Sequence, residues 1–103
     1  MAVVRAVEQT LELLIKNRVE FNRLGVARLG LFGSFARGEA TDVSDVDIIV
    51  EFQPGQKNFH NFMAIAEYLE NLLGREVEIV TPESLSPYIK SAVLQEVKYV
   101  KVA

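Results

Sequence analysis

Chemistry in this chain is concentrated in three short stretches. The first is Gly33-Ser34-Phe35-Ala36-Arg37-Gly38. Glycine lets an anion approach the backbone, and free N–H groups at the opening of a helical turn attract phosphate. The Ser34 hydroxyl can donate to a phosphate oxygen, and Arg37 can add a charge-assisted bond. A pair of turn glycines is the plainer alternative. Gly33 and Gly38 have the spacing of a P-loop, but Glu39-Ala40 stands where Lys-Ser/Thr is required, so that motif is excluded.

The second stretch is Ser44-Asp45-Val46-Asp47-Ile48-Ile49-Val50. Residues i and i+2 of a strand share a face, roughly 6.5–7 Å apart. Two carboxylates there, at the start of an apolar run, repel each other and lose hydration unless a cation sits between them. Oxygen ligands with room for water suit Mg²⁺. A turn capped by Ser44 and Asp45 would account for Asp45 but not for Asp47. A calcium loop fails as well, because Val46 and Asp47 occupy its ligand and glycine positions. The third stretch is Val77-Glu78-Ile79-Val80, with Glu78 on the polar face of a strand. A solvated glutamate beside Glu76 is its bland alternative.

These residues need elements to hold them. Val3, Val4, Val7, Leu11, Leu14 and Ile15 recur at helical spacing, predicting a helix from about Ala2 to Arg23 that stops at Gly25. Val26 to Phe32 is a strand by length and flanks. Gly33 to Gly38 is a turn with a short helical start, and Glu39 to Ser44 a polar connection. Asp45 to Phe52 reads as a buried strand ending at Pro54-Gly55. A long helix follows from about Phe59 to Leu73, with Phe59, Phe62, Met63, Ala66, Leu69 and Leu73 as its apolar stripe and Gly74 as its close. Arg75 to Val80 alternates as a third strand. Thr81-Pro82 and Ser86-Pro87 are N-cap and N1 pairs. The second of them starts a helix with Tyr88, Ile89, Ala92 and Val93 on one face. Val97 to Ala103 either frays or adds a short strand. The expected fold is α/β (α+β), a small mixed sheet flanked by helices in the order α-β-α-β-α-β-α.

At 103 residues the chain is expected to form a single domain spanning 1–103. A formal charge of −3 and a pI near 5.1 are the wrong footprint for gripping duplex nucleic acid, so no direct nucleic-acid binding is expected. The absence of cysteine excludes a disulfide framework, a thiolate metal site and a cysteine nucleophile. No apolar run approaches the roughly 18 residues of a membrane span, so no membrane partner and a cytoplasmic location are the default expectation. His60, the sole histidine, is read as a surface or capping residue. Tyr68, Tyr88 and Tyr99 are read as core-edge aromatics, and Phe59, Phe62 and Met63 as core packing. Phe35 could touch a base or a partner. Glu51 shares a face with Asp45 and Asp47 and is read as a rim charge.

GSFARG followed by SDVD, then Glu78 on a later strand running into Thr81-Pro82-Glu83-Ser84-Leu85, resembles the nucleotidyltransferase superfamily that includes DNA polymerase beta. More closely it resembles the minimal MNT branch, often the antitoxin half of HEPN–MNT toxin–antitoxin pairs. The likeness spans nearly the whole chain. It implies a nucleotidyltransferase-like core in which Gly33 and Ser34 hold a nucleotide triphosphate. It also implies that Asp45 and Asp47 bind Mg²⁺. The family's third carboxylate falls on Glu78, where the usual residue is Asp. The implied activity is Mg²⁺-dependent transfer of AMP from ATP to a hydroxyl, such as that of a tyrosine, on a HEPN-domain toxin encoded nearby. Two alternatives stand beside it: an antitoxin that neutralises by contact alone, with vestigial catalytic residues, and a homodimeric small-molecule nucleotidyltransferase.

Overall fold

The computed structural model describes residues 6–103. Its elements are α1 (Val7–Lys16), α2 (Arg18–Arg23), β1 (Val26–Phe32), α3 (Gly33–Ala36), β2 (Val46–Phe52), α4 (Phe59–Leu73), β3 (Val77–Val80), a 3₁₀ turn (Pro82–Ser84), α5 (Pro87–Glu96) and β4 (Lys98–Lys101). The strands form one mixed sheet in the order β3-β2-β1-β4. β1 is antiparallel to β2 and β4, whereas β2 and β3 are parallel, with α4 as the crossover that a parallel pair requires. The expected α/β class and small mixed sheet are what the chain adopts.

Alternation gives the sheet two faces. Leu29, Leu31, Val46, Ile48, Val50 and Val100 join Leu14, Phe21, Ile65, Leu69 and Leu73 in one buried core. By register, Gly30, Asp47, Ile49, Glu51, Glu78 and Tyr99 belong to the opposite face. Gly30 is needed there, because a Cβ would lie 2.5 Å from Val97 Cγ2 and 2.7 Å from Ile49 Cγ2. That close approach lets the junction between α5 and β4 cross the face. Among the described residues no helix is long and apolar enough to cross a membrane.

Several expectations need correction. The first helix is broken at Asn17, whose side-chain amide donates to the Leu13 carbonyl at 2.8 Å while its Oδ1 accepts from the Tyr68 hydroxyl at 2.7 Å. An asparagine side chain that competes for backbone groups ends a helix locally. Val3 and Val4 lie outside the described residues, and Ile15 is 46% exposed rather than part of the buried stripe. Phe59 and Met63 are exposed as well; of the expected stripe on α4 Leu69 and Leu73 are fully buried, and Ile65 joins them. On α5 only Val93 is buried, and Tyr88 and Ile89 face water. The first Thr-Pro pair opens a 3₁₀ turn rather than a helix; there Ser84 Oγ donates to the Thr81 carbonyl at 2.8 Å. The tail is ordered as β4 because β1 offers it an open edge.

Candidate active site

Asp47 is the second residue of β2, half-buried, with Phe32 of β1 opposite it on one side and Glu78 of β3 on the other. Gly33 follows Phe32 directly, so the glycine turn begins where Asp47 sits. Gly33 has φ of +71°, and a Cβ on it would come 2.1 Å from Asp47 Oδ2. Both the left-handed backbone and the missing side chain are therefore required. The turn then closes on itself, with Arg37 N–H donating to the Gly33 carbonyl and Glu39 N–H to the Ser34 carbonyl.

Asp45 lies one residue before β2 rather than inside it, as a strand from Asp45 would have had it, and it is exposed. The turn that delivers it is fastened by Thr41 N–H donating to Ser44 Oγ at 2.8 Å. Arg75 is expected in the third strand, but β3 starts at Val77 and the Arg75 guanidinium reaches across to the Thr41 and Ser44 carbonyls, at 2.9 and 3.1 Å. It also stands 5.1 Å over the Phe35 ring. Phe35 itself is buried, so it packs under the glycine turn instead of meeting a base or partner.

Asp47 is the perturbed carboxylate of the site. Asp47 is pushed up from 3.8 to about 6, chiefly by lost hydration and then by the neighbouring charge of Glu78, with Asp45 adding to it and Arg37 opposing it. Asp47 can thus hold a proton near neutral pH. Glu78 is exposed at the register position opposite. Among the described residues no three His, Cys, Asp or Glu side chains are arranged to enclose a metal ion. Arg37 is held above its usual value by hydrogen bonds to Glu39 and Glu96, so it stays fully charged.

A family model described as the nucleotidyltransferase domain matches residues 13–100. The protein adenylyltransferase MntA of Thermococcus cleftensis is 47% identical over 78 residues, 76% of this chain and 78% of that protein. The chain belongs to the nucleotidyltransferase family. A solved structure described as a minimal nucleotidyltransferase superposes with a TM-score of 0.78 at 34% identity, covering 94% of this chain and 98% of that one. The MNT antitoxin complexed with tri-AMPylated HEPN toxin of Shewanella oneidensis gives a TM-score of 0.54 at 21% identity, over 82% and 68% of the two chains, a likeness of fold.

In this nucleotidyltransferase the tertiary structure brings Gly33, Asp47 and Glu78 together and leaves Asp45 at their edge. Ser34 is partly buried beside Gly33 in α3. Glu51 pairs with Arg28 at 2.8 Å, further along β2. His60 is exposed at the start of α4. Sequence reasoning misses two residues that touch this candidate site. Arg75 carries no motif, and Glu96 lies 63 positions from the glycine whose N–H it accepts. Neither left a local signal.

Proposed function

We propose that this enzyme transfers AMP from ATP to a hydroxyl of a partner HEPN-domain toxin, a tyrosine hydroxyl being the acceptor, and so acts as an antitoxin. The observation that carries this reading is the side chain–free backbone of Gly33 pressed against Asp47 with Glu78 alongside. A glycine turn for phosphates directly abuts a carboxylate pair, as attack at a phosphorus requires. MntA of Thermococcus cleftensis and the Shewanella complex, named respectively for adenylyl transfer and for a HEPN toxin, support the acceptor class.

Oxygen-only donors with uncompensated charge at Asp47 fit Mg²⁺, and Asp45, Asp47 and Glu78 are the residues that would hold it. Because these three carboxylates do not by themselves form a closed set, nucleotide phosphates and water would complete the ligands. Bound there, Mg²⁺ supplies charge neutralisation at the phosphates and acidifies the attacking hydroxyl. The remaining work is positioning. Gly33, Ser34 and Arg37 orient the triphosphate by main-chain, hydroxyl and guanidinium donors. The acceptor oxygen forms a bond to the α-phosphorus as the bond to pyrophosphate breaks. Its proton passes to a carboxylate, for which Glu78, exposed beside Asp47, is suited.

Neutralisation by contact alone is the second reading. It is favoured by the exposed apolar side chains Tyr88, Ile89 and Leu94 on α5, which transfer does not use. Labelled ATP, Mg²⁺ and the neighbouring gene's product should yield labelled partner. A folded sample that leaves the partner unlabelled refutes the transfer. The double substitution Asp45→Ala with Asp47→Ala then separates the readings: neutralisation in cells is lost if chemistry is needed and survives if contact suffices.

A further inference from the structure

The donors assigned to nucleotide phosphate already have a tenant. Glu96, the last residue of α5, accepts the Gly33 N–H through Oε2 at 2.5 Å. The same oxygen accepts from Arg37 Nη1 at 3.0 Å, and Oε1 lies 3.2 Å from that nitrogen. Arg37 Nε is taken by Glu39 at 2.8 Å. A carboxylate oxygen and a phosphoryl oxygen demand the same N–H donors. They cannot share a single amide hydrogen, and side by side they repel.

We propose that Glu96 is a resident competitor for the phosphate seat, filling it in the nucleotide-free enzyme and withdrawing when a triphosphate enters. This inference rests on the nucleotide reading of the glycine turn. Withdrawal needs no rearrangement of the backbone. Glu96 ends its helix and its side chain is 28% exposed, so a rotation about its own bonds carries the carboxylate into water. A negative charge is also poorly placed at a helix C-terminus, and the Gly33 and Arg37 contacts are what compensate it. Releasing it therefore costs binding energy that the entering anion must supply. A triphosphate whose divalent cation meets the carboxylates beside the turn can supply that from contacts outside the seat.

The test is titration calorimetry with Mg·ATP on the wild type, Glu96→Gln and Glu96→Asp, with thermal melts to establish folding. Glu96→Gln removes the competing charge and should bind Mg·ATP roughly three- to tenfold more tightly than wild type. Its melting temperature without nucleotide should be equal or lower. Glu96→Asp keeps the charge on a shorter arm and should fall between the two, which keeps the comparison informative should the glutamine variant misfold. A merely structural brace predicts the reverse, weaker binding in both variants. Wild type that binds Mg·ATP, with folded variants that bind equally or less well, overturns the competitor and leaves the nucleotide reading intact. If neither wild type nor the variants bind Mg·ATP, the nucleotide reading fails and the competitor falls with it.

Discussion

Asp47→Asn should make the metal-free protein more stable, and only above a definite pH. Asp47 is raised from 3.8 to about 6 in the folded chain, so the native state binds its proton more tightly than the unfolded state does. Between about pH 4 and pH 6 the native state therefore carries more protons, and stability falls as pH rises through that window. The stability is fully present below pH 4 and fully lost above pH 6, the opposite sense to a salt-bridged carboxylate. A shift of about two pH units has a ceiling of about 3 kcal/mol. Asp47 is only half-buried, so solvent screening reduces that to about 1 kcal/mol. Asparagine keeps the shape and carries no charge at any pH. The variant and wild type should then melt together near pH 3.5, and by pH 7 the variant should melt about 4–8 °C higher in chelator-treated buffer. Mg²⁺ with ATP should close the gap by stabilising wild type alone. Calorimetric melts across pH 3.5 to 7.5 supply the measurement. A gap that does not change with pH, or a less stable variant at pH 7, would refute the lost hydration and repulsion assigned to Asp47.

Gly33→Ala should abolish nucleotide binding and cost stability, since its Cβ would meet Asp47 Oδ2 at 2.1 Å and its φ is +71°; a binding curve matching wild type would contradict that close approach. Glu78→Gln should lower single-turnover transfer by about 100-fold or more while ATP affinity barely changes, because its role belongs to the transition state. Glu78→Asp should transfer at least as well as wild type, and unchanged chemistry in Glu78→Gln would remove Glu78 from the reaction. Arg75→Met should leave the fold in place, lose the ties to the Thr41 and Ser44 carbonyls, and slow transfer by loosening the turn that carries Asp45. Amide exchange confined to residues 41–45 reports that loosening, and unaltered exchange there would deny Arg75 its positioning role.

What could be read along the chain was whatever depends on neighbours in sequence. The apolar run from Val46 to Val50 marks a strand, and the Asp45-Val46-Asp47 spacing marks a carboxylate pair at its mouth. Gly33, Gly38 and Gly74 announce turns because a positive φ excludes most other residues. The family likeness rests on those same local signals. Contacts between distant residues left no such trace. Phe59, Met63, Tyr88 and Ile89 have the spacing of a buried stripe, yet which face of α4 or α5 meets the sheet is decided by how the helices dock. Asn17 ends α1 partly because Tyr68, 51 residues on, donates to it. β4 exists because the edge of β1 is open, not because Lys98–Lys101 insists on being a strand. The glycine turn looks empty in sequence, and in space its Gly33 N–H is taken by Glu96. Periodicity and backbone permissiveness act over a few residues and are written locally. Docking, cross-strand pairing and competition for a donor act between groups that only the folded chain brings together.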